Sequence, residues 1–246
     1  MESKYIIEAN HIGIKFKLSR FKKVTVRSFF NDLLKGSSTK QNKEFWAIKD
    51  VSFALEEGEI LGVVGSNGSG KSTLLRIIAG VYEPDKGIIQ VNGSVSPLLS
   101  LGTGFKQDLS GYENIFLNGV IMGFTRKEIK AQLQNIIDFA ELKDFIYEPV
   151  KHYSSGMQAR LGFSIAVHLK RDIMLIDEIL GVGDFRFREK SQNKMKEIIK
   201  SGQTIIIVSH NLDSIRQYAT KAIWINKGVL MESGDVNTVI DKYLAS

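Results

Sequence analysis

The sequence predicts an α/β protein built on a mainly parallel sheet, and three observations carry that prediction. Short apolar runs recur between helix-like segments: "EILGVVG" (59–65), "DIMLIDE" (172–178) and "TIIIVSH" (204–210). A short run that is apolar throughout marks a strand covered on both faces. A Gly-rich stretch joins the first of these runs to a helix-like segment, "SNGSGKSTLLRIIAGV". Finally, 246 residues at 43% apolar suffice for a full core, and three prolines leave no Pro-rich linker. Strands alternating with helices imply a helix-covered sheet with ligands at the C-terminal strand ends.

Each element follows from its local pattern. Residues 5–16, "YIIEANHIGIKF", and 46–55, "WAIKDVSFAL", alternate and read as half-exposed strands. The segment between them, residues 17–43, carries eight Lys or Arg against one Asp. It is a candidate surface facing anionic lipid, nucleic acid or an acidic partner. Within it Val26, Phe29, Phe30, Leu33 and Leu34 recur on one helical face, with Arg27, Asp32 and Lys35 off it. That amphipathy fits a helix packed on its own domain as well as one facing a membrane.

After the Gly-rich stretch, "GIIQVNGSVSPLL" reads as two short strands around the turn Asn92-Gly93. From Ser110 to Pro149 the pattern is helical, with Thr125 and Glu128 forming a capping box, so a helical insertion interrupts the α/β core. The second half resumes the alternation: a helix after Gly156, the strand 172–178, a helix around "REKSQNKMKEIIK", and the strand 204–210. The helix "NLDSIRQYA", the hairpin "KAIWINKGVLMESGD" and the helix "VNTVIDKYL" complete the chain, which holds no internal repeat.

Composition narrows the function classes. No apolar run approaches the roughly eighteen residues of a membrane span, and "MESKYIIEAN" lacks the parts of a signal peptide, so a soluble, cytosolic protein is expected. The absence of cysteine excludes disulfides and thiolate metal sites. His11, His152, His168 and His210 show no metal-ligand spacing, and no zinc is expected. The net charge of +6 is modest.

"GSNGSGKS", comprising Gly65, Ser66, Asn67, Gly68, Ser69, Gly70, Lys71 and Ser72, fits the P-loop pattern GxxxxGK[ST] in its required context, buried strand before and helix after. A chance match is on the order of one per cent from average residue usage. The glycines let the backbone close on phosphates, Lys71 reaches the β- and γ-phosphates of ATP, and the Ser72 hydroxyl ligates Mg²⁺; Thr73 extends the expected ATP-binding run. "DIMLIDE" places Asp177 and Glu178 at a strand end beside that loop. Asp177 suits Mg²⁺ held through water, and Glu178 is the candidate to orient and partly deprotonate an attacking water. His210, ending "TIIIVSH", is a candidate hydrogen-bond donor to the γ-phosphate. A second anion site stands in "HYSSGMQARLGFSIAVHL" (152–169), where Ser154, Ser155 and Gly156 precede a helix whose first N–H groups and dipole favour a phosphate.

With "GSNGSGKS", "YSSGM", "DIMLIDE" and "IIIVSH" in that order, nearly the whole chain resembles the nucleotide-binding subunit of an ABC transporter. The resemblance implies a P-loop NTPase core of the RecA-like type, with antiparallel β elements and an inserted helical subdomain. It implies one nucleotide-binding domain over 1–246: core about 1–104 and 155–225, basic insert about 17–43, helical subdomain about 105–154, and C-terminal hairpin and helix 221–246. The family signature, LSGGQ, corresponds to Tyr153, Ser154, Ser155, Gly156 and Met157; Ser154 and Gly156 are kept and three positions differ. "GVGD" (181–184) looks like the D-loop, ending at Asp184. Phe16 is the candidate aromatic for stacking on adenine, with Trp46 second, and either also reads as a core aromatic. The register that normally carries a glutamine falls near Ser100 and Leu101, with Gln107 out of step.

"LLSLGTGFKQDLSGYENIFLNG", "YSSGM", "GVGD" and the basic insert together are similar to the ATPase subunits that export finished cell-surface polymers: O-antigen and capsular polysaccharides and wall teichoic acids. In those exporters the insert is a gate helix at the membrane subunit. The resemblance implies ATP and Mg²⁺ as cofactors, a homodimer, a separate transmembrane permease, a peripheral place on the cytoplasmic face of the cell membrane, and no nucleic acid. The second anion site then closes on ATP held by the partner copy. Because the sequence stops at "DKYLAS" without a carbohydrate-binding domain, it leans towards a teichoic acid or capsule type, or a shortened chain. An ABC subunit for another substrate, such as a lipid, metabolite or drug, shares every catalytic residue. A soluble ABC ATPase acting on ribosomes or nucleic acid is a further alternative.

Overall fold

The structure, a computed structural model, describes residues 4–18, 43–98, 104–177, 184–209 and 211–246. In chain order its elements are β1 (Ile7–Leu18), β2 (Lys43–Leu55), β3 (Ile60–Val64), α1 (Lys71–Ile78), β4 (Lys86–Val91), β5 (Val95–Leu98), α2 (Gly111–Ile121), α3 (Arg126–Ala140) and α4 (Ser155–His168). Then follow β6 (Ile173–Asp177), α5 (Phe185–Lys200), β7 (Thr204–Val208), α6 (Leu212–Tyr218), β8 (Lys221–Asn226), β9 (Val229–Gly234) and α7 (Val236–Leu244). The basic insert lies almost wholly outside the described residues.

Among the described residues nine strands form one sheet in the order β4-β1-β2-β9-β8-β3-β7-β6-β5. Its two ends differ. From β8 through β3, β7 and β6 to β5 every pairing is parallel, whereas β1 pairs antiparallel with both β2 and β4. The central strands β3 and β7 are buried at every position, as their unbroken apolar runs require. The two ends meet at β2 and β9, where Asp50 pairs with Val229 and the amides of Lys49 and Asp50 both donate to the Gly228 carbonyl.

The expected strands around Asn92-Gly93 form, but they do not pair with each other. β4 joins β1 at one edge of the sheet and β5 joins β6 at the other. The turn is pulled apart by its partners: the Asn92 amide and side chain bond to the carbonyls of Ile6 and Tyr5, while the Ser94 amide and hydroxyl bond to Asp172 Oδ2 at 2.7 Å. Those contacts hold the Asp172 carboxyl below its ordinary range, the Ser94 backbone amide contributing most.

The helical insertion has its own apolar core, in which Ile115, Ile129, Ile136, Val150 and Leu161 are buried. Both of its helices begin at a capping box, Ser110 with Glu113 and Thr125 with Glu128. α4 ties this core to the sheet: Leu161, Ile165 and Leu169 face the insertion, while Phe163, Ala166 and Val167 pack with β6, β7 and α5. A helix packed on two sides has little amphipathy, and here every residue from Leu161 to Val167 is buried. Among the described residues no helix is long and apolar enough to cross a membrane.

Candidate functional site

The loop between β3 and α1 is shaped by its glycines and closed by its lysine. Gly65 has φ +150°, and a Cβ there would stand 2.2 Å from the Ile225 carbonyl oxygen. Gly70 has φ +113°, with the Ala47 oxygen and Ile48 Cδ1 each 2.7 Å from its hypothetical Cβ. Neither position accepts a side chain. Lys71 is buried and turns its ammonium back into the loop, donating to the carbonyls of Gly65 at 2.7 Å and Ser66 at 3.0 Å. The β8–β9 turn braces the loop from outside, the Gly228 amide donating to the Ser69 carbonyl at 2.9 Å.

α1 differs from every other described α-helix at its start. Ser110, Thr125, Ser154, Asp184, Asn211 and Asp235 each cap their own helix through a side chain, whereas Gly70 supplies no side-chain cap. A helix start without a cap leaves amide donors for an external acceptor, and its dipole favours an anion. The cleft at this point has a volume of about 380 Å³. Its lining includes Asn67, Gly68, Gly70, Lys71, Ser72 and Thr73 from the loop and helix, and Asp177 from the end of β6. β7 stands between β3 and β6, so Asp177 reaches the cleft across one strand. An ammonium, a helix start, a hydroxyl and a carboxylate in one glycine-walled cleft fit a nucleotide phosphate with a divalent cation.

The aromatic in that lining is Phe45, which is half exposed. Phe16, its cross-strand neighbour, does not line the cleft; it is half-buried against the core, with its ring edge on Tyr82 at 5.4 Å. Trp46 lies beside the ammoniums of Lys15 and Lys86 at 5.8 and 5.5 Å from its ring. Alternation separates Phe45 from Trp46, because adjacent residues of a strand face opposite sides, whereas Phe16 shares the face of Phe45 but sits one strand further out, against Tyr82. Phe45 carried no separate signal, since it sits between the basic insert and an aromatic neighbour in sequence.

At the second anion site, Ser154 Oγ accepts from the Met157 amide at 3.2 Å and so caps α4. Its hydroxyl hydrogen stays available for donation. Ser154 and Ser155 are exposed and Gly156 and Met157 half-buried. Gly156 has no internal steric reason, since a Cβ there would meet only Ser154 Oγ at 3.8 Å. None of these four residues lines the P-loop cleft. Asp184 is described as the N-cap of α5, accepting from the Phe187 amide at 2.9 Å. Glu178, His210, residues 181–183 of "GVGD", Ser100 and Leu101 lie outside the described residues. Gln107 is exposed, its carbonyl accepting from the Lys151 amide.

The family model described as ABC transporter matches residues 48–181. The teichoic acids export ATP-binding protein TagH of Lactococcus lactis is 44% identical over 243 residues, covering 98% of this chain and 51% of that protein. The O-antigen export system ATP-binding protein RfbB of Myxococcus xanthus is 42% identical over 240 residues, covering 94% of this chain and 55% of that protein. The chain thus spans about half the length of these curated relatives, and teichoic acid and O-antigen proteins alike extend beyond the match. The leaning drawn from chain length therefore does not separate the two classes. Among solved structures, an ATP-binding subunit of an ABC transporter superposes with a TM-score of 0.72 at 20% identity over 97% of this chain and 93% of that one. A dimeric ATP-binding cassette bound to ADP and Pi superposes with 0.71 at 19% identity over 94% of this chain and 98% of that one. These similarities extend the fold to the whole described chain, and the match of the family model over more than half of its length places the chain in the ABC transporter family.

Proposed function

We propose that the chain is the ATP-hydrolysing subunit of an exporter for a lipid-linked cell-surface polymer, a polysaccharide such as O-antigen or a teichoic acid. In this reading it works as a homodimer at the cytoplasmic face of the membrane, against a separate permease. The observation that carries the ATPase reading is the P-loop cleft, where Lys71, Ser72 and Asp177 converge under a helix start that lacks its own cap. Polymer export is supported by the relatives TagH and RfbB, which are teichoic acid and O-antigen export ATP-binding proteins.

The roles divide by chemistry. The loop from Gly65 to Gly70 and the first turn of α1 take the phosphates, Lys71 neutralises their charge, and Phe45 is better placed than Phe16 to stack on the base. Ser72 and Asp177 would hold Mg²⁺, Asp177 through water, and the ion would supply charge neutralisation on the phosphates. Glu178 orients the attacking water and His210 bonds to the γ-phosphate. Ser154, Ser155, Gly156 and Met157 close on the nucleotide of the partner copy, with Asp184 at the edge of the same interface. The dimer reading is supported by Gly156, whose missing Cβ leaves room that nothing in its own chain uses. We further infer one nucleotide-binding unit, in which the separate core around Ile115 and Ile129 delimits the helical subdomain.

A Glu178→Gln variant tests the reading. It is expected to bind ATP, dimerise and lose turnover, while near-normal hydrolysis would remove Glu178 from its role. Stimulation of wild-type turnover in proteoliposomes with the co-purified permease by a lipid-linked polymer, against a lipid lacking the polymer, tests the substrate class.

A further inference from the structure

Tyr153 is the buried position of the stretch Tyr153–Met157, at 6% exposure. Its hydroxyl donates to the Phe145 carbonyl oxygen at 2.7 Å. Burial, and then the charge of Glu148, push the phenol up to about 12, so it remains a donor throughout the physiological range. The hydroxyl sits beside Gly111, the first residue of α2, where a Cβ would lie 2.3 Å from it. Gly111 has neither a positive φ nor a turn to explain it, and glycine in a helix costs up to about 1 kcal/mol relative to alanine. The phenol is its nearest steric neighbour, ahead of Ile146 Cδ1 and the Ile146 carbonyl oxygen, each at 3.1 Å.

Phe145 belongs to a segment that is itself tied to α2. The Gly111 amide donates to the Glu148 carbonyl at 3.2 Å, the Tyr112 amide to the Ile146 carbonyl at 2.8 Å, and Ser110 bridges Pro149. The same segment displays Phe145 and Tyr147 to solvent, Tyr147 stacking on Tyr112 at 5.6 Å. One hydroxyl therefore joins the backbone of an exposed aromatic face to the residue that precedes Ser154.

We propose that Tyr153 is a positioning residue for the Ser154–Met157 turn: its hydroxyl, seated beside Gly111 on the Phe145 carbonyl, holds the start of α4 in register with residues 143–149. This rests on the reading of that turn as a site for the partner's nucleotide. Apolar packing alone would bury a ring of this size; the directional bond fixes where the turn points.

The test uses the full chain with MgATP. In Tyr153→Phe, ATP affinity of the monomer is expected to stay within twofold of wild type. ATP-driven dimerisation, followed by sedimentation in a Glu178→Gln background, and turnover are both expected to fall about three- to tenfold, the worth of one hydrogen bond. Gly111→Ala is expected to fall further. Adding Tyr153→Phe to it should recover part of the activity lost by Gly111→Ala, because removing the hydroxyl relieves the 2.3 Å contact and leaves only the Ile146 atoms at 3.1 Å. A purely structural tyrosine would lower thermal stability without this split between nucleotide binding and turnover. Wild-type dimerisation and turnover in Tyr153→Phe, or a loss matched by an equal loss of monomer affinity, overturns the proposal. A wild-type chain that neither dimerises nor hydrolyses ATP would instead overturn the reading of function on which it rests.

Discussion

The two helix starts offered as anion sites are built in opposite ways. At α1 the glycines are dictated from inside the chain: Gly65 and Gly70 are hemmed by backbone oxygens of Ile225 and Ala47, and the helix has no side-chain cap. At α4 the helix caps itself with Ser154, and a Cβ at Gly156 would meet only Ser154 Oγ at an ordinary 3.8 Å. The first start lies in a cleft lined by the ammonium of Lys71 and the carboxylate of Asp177 from the same chain. The second presents two exposed serines and a half-buried Gly156 that no close contact in the same chain requires. A glycine explained by its neighbours supports the fold, and one that its own chain does not explain points to a second molecule.

The largest effect should come from Lys71→Ala, which removes the ammonium from the P-loop cleft. Turnover is expected to fall by at least about a hundredfold, the scale seen when one preorganised charge-stabilising donor is deleted, with nucleotide affinity lost in equilibrium titration. Gly65→Ala attacks the same start through the fold. A Cβ at 2.2 Å from a carbonyl oxygen should cost at least about 3 kcal/mol, read as a lowered denaturation midpoint. Gly156→Ala makes the sharpest contrast. Thermal unfolding should show it unchanged or stabilised by up to about 1 kcal/mol, while ATP-driven dimerisation and turnover fall about tenfold or more. If Gly156→Ala hydrolysed ATP normally, the difference between the two starts would lose its functional meaning. The smallest effect is expected for Phe45→Ala, which should weaken monomer nucleotide binding by about three- to tenfold through lost stacking. Phe16→Ala should lower stability by about 1–2 kcal/mol and leave nucleotide affinity unchanged.

Much of this was legible in order along the chain. The nearly unbroken apolar runs of β3, β6 and β7 announced buried parallel strands because strands covered on both faces have no polar side. Thr125 and Glu128 announced the start of α3 because a capping box is local chemistry between residues three apart. Ser110 and Glu113 form the same box, a signal equally visible in "SGYE". The pairing of β4 and β5 was not legible. Asn92-Gly93 resembles a hairpin turn, but Tyr5, Ile6 and Asp172 compete for its flanks from distant parts of the chain. Nor was the choice of Phe45 over Phe16, which depends on β2 lying nearer than β1 to the strands that carry the loop.

The sequence by itself determined the phosphate loop, the acid at the end of β6, the small-residue turn ahead of α4 and the alternation of strands and helices. All of these are encoded by residues adjacent in the chain, where backbone geometry and periodicity act directly. Only the tertiary structure decided that the β8–β9 turn braces the P-loop through Gly228, that Tyr153 is matched to Gly111, and that the two helix starts do not share a cleft. These are relations between residues far apart in sequence, and they exist only once burial has fixed which surfaces meet.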